Sequence, residues 1–150
     1  MNWFKTKFPQ YQTYSRSGKI IVWLTFANIL NYLVPTVLAL TNGIVDLLNA
    51  TILIYHIVLF WFLLHKKLWA WYALIPFYIL SSFQFVFANG AHFVMSTPIT
   101  LSFSLTPSGA KIVINFASLI ILFFIMKNIH QIKREILLEQ SFRLPEKEKS

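Results

Sequence analysis

The chain of 150 residues contains no cysteine and few charged residues. Without cysteine it can form neither a disulfide nor a thiolate metal site. Charged residues make up only 12% of the sequence and hydrophobic residues 57%, whereas about a quarter of the residues in a soluble domain are charged. A soluble domain of this composition would lack the polar surface that keeps it in solution, so the composition predicts an integral membrane protein.

Recognisable catalytic and cofactor motifs are also missing. The sequence contains no nucleophile-elbow motif, no glycine-rich phosphate loop and no paired carboxylates. Its histidines show no metal-ligand spacing, and His56 has no partner at its depth for axial haem ligation. We therefore expect no metal and no other cofactor. An intramembrane enzyme that uses His56 or His92 as its base is left as a minor alternative.

Four apolar blocks make up most of the chain, and each has the length of about 20 residues that spans a bilayer. The blocks cover residues 20–40, 44–64, 68–88 and 110–128. Short links join the first three blocks, so consecutive blocks should be antiparallel neighbours. The sequence thus predicts an all-α membrane protein in which residues 1–150 form one domain, an antiparallel bundle of four transmembrane helices.

The lysine and arginine residues indicate the orientation of this bundle. Loops rich in these residues stay on the cytoplasmic side, which is the positive-inside rule. Lys111 is the single basic residue on the outer side, and the other twelve lie on the inner side: Lys5, Lys7, Arg16, Lys19, Lys66, Lys67, Lys127, Lys133, Arg134, Arg143, Lys147 and Lys149. We expect the arm 1–19 and the helix and tail 129–150 to be cytoplasmic, and the loop 89–109 to be external.

The placement of the basic residues bears on partners and on location. They flank apolar blocks as membrane anchors do, which argues against nucleic-acid binding. The first apolar run is too long for the core of a typical signal peptide, so we expect it to be retained as a helix. Together these features favour a bacterial inner membrane, with membrane lipid as a partner.

The external loop contains a segment with the period of a strand. Residues 99–105 alternate between apolar and hydroxyl-bearing side chains, and Pro98 and Pro107 bound the run. A period of two predicts a strand rather than a helix. We expect a short extended segment over the outer mouth of the bundle, between the third and fourth helices, with its apolar side toward the bundle or lipid.

The second block carries the main candidate site. Asp46, Asn49 and His56 share one helical face, and Asn28 and Asn31 of the first block lie about level with His56. An ionisable group near the bilayer midplane is costly and usually faces the bundle interior or water. The pattern predicts either a polar track for a proton, an ion or a headgroup, or hydrogen bonds that merely join the helices.

Two further hypotheses concern the ends of the helices. Lys111 should either form a salt bridge with Asp46, which would tie the second helix to the fourth, or bind an anionic lipid headgroup. Ile129, Ile132 and Ile136 continue the helical pattern beyond the membrane. This isoleucine stripe should either dock a partner protein or lie on the inner leaflet.

Two functional hypotheses follow. The first is a small transport-type subunit that passes or flips an ion, a proton or a lipid-linked molecule, working as a homo-oligomer because four helices enclose little space. The second is a non-catalytic accessory, immunity or assembly subunit of a larger membrane complex, docked through the isoleucine stripe. The polar face of the second block favours the first, because a midplane histidine is expensive for packing alone.

Overall fold

The computed structural model describes residues 6–87, 89, 92–106 and 111–147, without the side chains of residues 92 and 142–147. Five predicted segments fall partly outside these residues, namely the start of the basic arm, the end of the third apolar block, the external loop, the start of the fourth apolar block and the end of the tail. The described chain is mostly helical and carries one small sheet.

The described elements are the helices α1 (Pro9–Gln12), α2 (Arg16–Thr41), α3 (Leu47–Leu64), α4 (Leu68–Ser81) and α5 (Phe116–Lys147), and the strands β1 (Phe83–Val86), β2 (His92–Phe93), β3 (Ser102–Leu105) and β4 (Lys111–Asn115). Over three stretches the helices are long and apolar enough to cross a membrane, namely Arg16–Thr41, Leu47–Leu64 and Phe116–Ser141. The structure therefore agrees with a multi-pass membrane protein.

Polar side chains determine where the long helices begin. The Ser15 hydroxyl accepts a hydrogen bond from the Gly18 amide at the start of α2. The Asp46 carboxylate does the same for the Asn49 amide at the start of α3. Serine and aspartate are favoured at this position because they satisfy a backbone N–H that has no partner within the helix.

The predicted third helix over 68–88 is wrong beyond Ser81, where α4 ends. Residues Phe83–Val86 instead form β1, which pairs with β4. A short apolar run suits a strand as well as a helix, and aromatic and β-branched residues favour the strand. At about 1.5 Å per residue α4 extends about 21 Å, which is less than the roughly 30 Å hydrocarbon core.

The all-α prediction also misses the sheet. Its strand order is β2-β1-β4-β3, and all the pairings are antiparallel. Part of the predicted extended segment 99–105 forms β3, but the first residues of the predicted fourth helix form β4, and α5 begins only at Phe116. The run Ile112–Ile114 is entirely β-branched, which favours a strand once β1 and β3 are available on either side.

The helices enclose one aromatic and aliphatic core. α2 packs against α3 and α5, and α4 packs against α3 and α5. Trp71, Tyr78, Leu59, Leu63 and Ile125 are fully buried at the centre. The outward faces of the helices are apolar and exposed, as expected for surfaces that contact lipid.

The basic arm folds back onto the bundle. Phe8, Tyr11 and Tyr14 are buried within the core cluster. The Tyr14 hydroxyl donates to the Leu63 carbonyl at 2.8 Å and accepts from the Trp71 indole N–H at 3.0 Å. Burial raises the pKa of the Tyr14 hydroxyl, so the group stays protonated and keeps its donor role. The arm therefore closes the lysine-rich end of the bundle, called the basic end below.

Gly18 allows α2 to approach α5 closely at this end. A β-carbon on Gly18 would lie 2.8 Å from the Asn128 Oδ1 atom. The Asn128 amide is held in place: its Oδ1 accepts from Ser15 at 2.8 Å, and its Nδ2 donates to the Ser17 hydroxyl at 3.1 Å. The amide thus has little freedom to move away from an added methyl group.

We expect Gly18→Ala to lower the free energy of unfolding by about 1–3 kcal/mol, because overpacking forces the backbone or the amide to shift. Thermal unfolding in detergent micelles, followed by circular dichroism, measures this change. In an Asn128→Ala background the same substitution should cost much less, because the opposing oxygen is gone. Equal costs in both backgrounds would show that the close approach does not limit the packing.

Candidate functional site

Asn28 of α2 and His56 of α3 lie in the middle of the bundle, and both are fully buried. Their helices are antiparallel neighbours joined by a short turn, so the two side chains extend into the bundle interior from neighbouring helices. The polar side chains nearest the middle of the two helices are therefore both removed from the lipid. This location agrees with the rule that ionisable groups at such depth face the bundle interior.

The surroundings of His56 fix its hydrogen-bonding roles. Its Nδ1 atom lies 2.9 Å from the Ile52 carbonyl oxygen, which can only accept, so Nδ1 carries the hydrogen. The ring stacks on Tyr32 at a centroid distance of 5.9 Å and meets Phe77 edge-on at 4.3 Å. Nε2 then carries no hydrogen and can only accept, and no described residue donates a hydrogen bond to it.

Asn28 presents a second buried acceptor. Its Nδ2 group donates to the Tyr78 hydroxyl at 3.2 Å, while its Oδ1 atom has no partner among the described residues. Leaving a buried acceptor unsatisfied costs about 1–3 kcal/mol. The Phe77 ring contacts His56, and the next residue, Tyr78, bonds Asn28. The structure therefore brings Asn28, His56 and the rings of Tyr32, Phe77 and Tyr78 together in one group, called the Asn28–His56 cluster below.

The other residues of the predicted polar track do not join this cluster. The Asp46 carboxylate accepts from the Asn49 backbone N–H at 3.1 Å and from its side-chain amide at 2.7 Å. Between Asn49 and His56 the same helical face carries Ile52 and Leu53, which are both buried. Two apolar residues thus separate the partly exposed Asp46–Asn49 pair from the cluster.

Asn31 also lies apart from the cluster. It is on a more exposed side of α2, and its amide donates to the Ser96 hydroxyl at 3.1 Å. The neighbouring Tyr32 hydroxyl donates to the Ser96 carbonyl at 2.8 Å. Asn31 therefore helps to attach the segment before β3 to α2.

The proposed salt bridge between Lys111 and Asp46 does not form. Within the described part of the chain the only ion pair joins Lys66 to Glu135, with a separation of 2.6 Å. Asp46 is already engaged by Asn49, and Lys111 is an exposed residue at the first position of β4. The headgroup hypothesis for Lys111 stays a prediction.

The isoleucine stripe does not form an external docking surface. Ile129 and Ile132 are buried in the chain's own core, and only Ile136 is exposed. The physical reason is that α5 packs against α4 and α2, so these two side chains join the same core cluster as the rings of the arm. The apolar surface left open on this part of α5 is formed by Ile136, Leu137 and Leu138.

Sequence reasoning missed the aromatic half of the cluster. Tyr32 lies four residues after Asn28 and therefore on the same face of α2, which was a usable signal. Tyr78 stands as a polar hydroxyl inside an apolar block, but its pairing with Asn28 depends on how α4 packs against α2. Within the described residues no group of three or more His, Cys, Asp or Glu side chains is placed to hold a metal ion.

Comparison of the chain with protein-family models, with curated proteins and with solved structures found no match.

We expect His56→Phe to leave the free energy of unfolding unchanged or to raise it by up to about 1 kcal/mol, because an apolar ring of similar shape removes an unsatisfied acceptor. Thermal unfolding in micelles tests this. Tyr78→Phe is the contrasting variant: it strips the Asn28 amide of its acceptor and should cost about 1–3 kcal/mol. A loss above about 2 kcal/mol for His56→Phe would mean that Nε2 has a stabilising partner and would contradict the assignment.

Proposed function

We propose that the chain is a small, multi-pass, transport-type membrane subunit that works as an oligomer, and that its Asn28–His56 cluster handles a proton. The observation that carries the proposal is a pair of buried acceptors, Asn28 Oδ1 and His56 Nε2, to which no residue in the described part of the chain donates a hydrogen bond. Such groups are costly in a membrane interior, and ionisable residues at such positions commonly mark the path of a proton or an ion. Wider versions of the same proposal, with an ion or a lipid-linked molecule as the permeant, have less support from the geometry.

The chemistry of the cluster favours a proton over a metal cation. Hard cations bind through six or more oxygen atoms, whereas the cluster offers one amide oxygen and one imidazole nitrogen without partners. The buried Ile52 and Leu53 side chains supply no ligands on the way to Asn49. A proton needs only a transient chain of water molecules and a proton acceptor for each transfer step.

Protonation would also change the hydrogen bonds that the cluster can form. In the neutral ring Nε2 and Asn28 Oδ1 are both acceptors, so neither can satisfy the other. A proton on Nε2 turns that atom into a donor, while Oδ1 remains an acceptor. A water molecule that accepts from the protonated Nε2 and donates to an acceptor such as Oδ1 would then link the two groups in the relay that we propose.

The remaining parts of the proposal concern location. The basic residues at one end of the bundle favour a bacterial inner membrane with both termini in the cytoplasm. On this topology the Asp46–Asn49 pair, which is partly exposed, would face the outside and would meet a proton before it reaches His56.

The test is proton flux into liposomes that contain the purified protein and a trapped pH-sensitive dye, with a potassium diffusion potential as the driving force. We expect His56→Phe to reduce the flux at least tenfold and Asp46→Asn to reduce it less. His130→Phe, which changes an exposed histidine on α5, is the matched control and should conduct normally. If His56→Phe and Asp46→Asn both conduct like the unchanged protein, the proposal fails.

One observation favours the accessory-subunit alternative. An open groove of about 670 Å³ lies at the basic end, where α1, the α3–α4 turn and α5 meet, and Ile136 and Leu138 contribute its apolar side. Lys66, Lys67, Glu135 and Glu139 give it charges of both signs. Such a groove would suit a segment of a partner protein that carries both apolar and charged residues.

Native mass spectrometry of the protein extracted from its own membrane in mild detergent decides between the two functions. A stoichiometric unrelated partner that is lost in Leu138→Lys would make the chain an accessory subunit. Copies of this chain alone, or with bound lipid, would leave transport as the better explanation. The substitution is preferable to a truncation after Lys127, which would remove the core residues Ile129 and Ile132.

A further inference from the structure

The segment between α4 and α5 lies at the depth of the membrane-spanning helices. From Leu68, next to the basic turn, α4 rises about 21 Å before it ends at Ser81, and α5 covers about 18 Å between Phe116 and Lys127. The hydrocarbon core is about 30 Å thick. The strands that follow α4 and precede α5 therefore begin roughly 10 Å inside the far boundary of that core, and helix tilt would place them deeper.

Contacts with α2 give the same depth independently. The Tyr32 hydroxyl bonds the Ser96 carbonyl, and Asn31 bonds the Ser96 side chain. Along α2 the stretch from Lys19 to Tyr32 rises about 20 Å. Ser96, in the segment between β2 and β3, is therefore also about 10 Å below the far boundary. The fold thus places strand backbone, and not only helix, within the hydrocarbon region.

The strand register creates an apolar sheet face. Phe83, Ile114 and Phe103 form one cross-strand row, because Ile114 is opposite each of the other two. The second row contains Phe93, Phe85, Ile112 and Leu105 in the same way. Directly opposite residues and residues two apart share a face of a sheet. All seven side chains on this face are therefore apolar, and the five on β1, β2 and β3 are exposed.

Strand β3 is an open edge at this depth. It pairs with β4 on one side, and none of the other described strands pairs with its second side. Open sheet edges that face lipid do not occur within the hydrocarbon region, because each unsatisfied backbone group costs several kcal/mol. Lipid can cover the phenylalanine face, but it cannot supply hydrogen bonds to the edge.

We propose that β3 pairs antiparallel with β3 of a second copy of this chain, which makes one eight-stranded sheet across a two-fold axis. A strand that pairs with itself in this way is self-complementary, as a two-fold interface requires. Ser102–Leu105 carries no charge that would repel its copy, whereas natural edges that avoid association carry charges or proline. The apolar faces of the two sheets would then be continuous. This dimer does not depend on proton transport.

The absence of native cysteine makes the pairing directly testable. Ser102→Cys, Phe103→Cys, Ser104→Cys and Leu105→Cys are made one at a time and oxidised in membranes with copper phenanthroline. Antiparallel pairing about a two-fold axis brings identical residues together only near the axis. The disulfide-linked dimer should therefore peak at one or two of these positions, at least tenfold above the control Thr51→Cys, an exposed site on α3.

A second variant tests whether the open edge holds the two copies together or whether the copies are merely close to each other. Phe103→Lys places a charge next to the open edge and should shift the native mass from dimer to monomer without changing the circular dichroism spectrum. The proposed pairing would be overturned if cross-linking along β3 were no stronger than at Thr51, or if the unchanged protein were monomeric. Because these readouts involve no flux, loss of transport in His56→Phe and loss of the dimer are distinguishable failures.

Discussion

The described fold depends on hydrogen bonds at Asn115, where helix and strand meet inside the bundle. The backbone N–H of Asn115 donates to the Ser82 carbonyl at 2.8 Å, and its side-chain amide donates to the Thr97 hydroxyl at 3.2 Å. Its Oδ1 atom accepts from the backbone N–H groups of Leu101 and Ala117. One residue thus connects the end of α4, the segment before β3 and the start of α5. Without these bonds, backbone polar groups would be left unsatisfied at a buried position.

The two ends of the bundle are closed in different ways. At the basic end, the aromatic arm buries its rings and its hydroxyl groups bond to the helices, while Lys66 bonds both Thr13 and Glu135. At the other end a sheet takes the place of the last turns of two helices. The polar groups named here at the two ends form hydrogen bonds that stabilise the fold. This contrast is what makes Asn28 and His56 functional candidates, since each keeps an unpartnered buried atom among the described residues.

The short α4 connects the architecture with both proposals. α4 stops at Ser81, and the segment between β2 and β3 reaches α2, where the Tyr32 hydroxyl donates to the Ser96 carbonyl. Tyr32 also stacks on His56. The ring beside the candidate proton acceptor is therefore attached to the segment that leads into β3.

The sequence alone predicted a membrane protein and the two apolar helices that are α2 and α3, because apolar length and flanking lysines are local properties. It did not predict where these helices begin, since the caps Ser15 and Asp46 place the starts at Arg16 and Leu47 rather than at residues 20 and 44. It also predicted that His56 faces the bundle interior, since an ionisable group near the bilayer midplane is costly in contact with lipid. It did not predict that Phe83–Val86 and Lys111–Asn115 are strands, because apolar aromatic and β-branched runs are ambiguous until a hydrogen-bonding partner is known. Tertiary packing alone decided three features: the burial of Ile129 and Ile132, the break in the polar track at Ile52, and the pairing of Asn28 with Tyr78. Each of them depends on which distant segment occupies the neighbouring space.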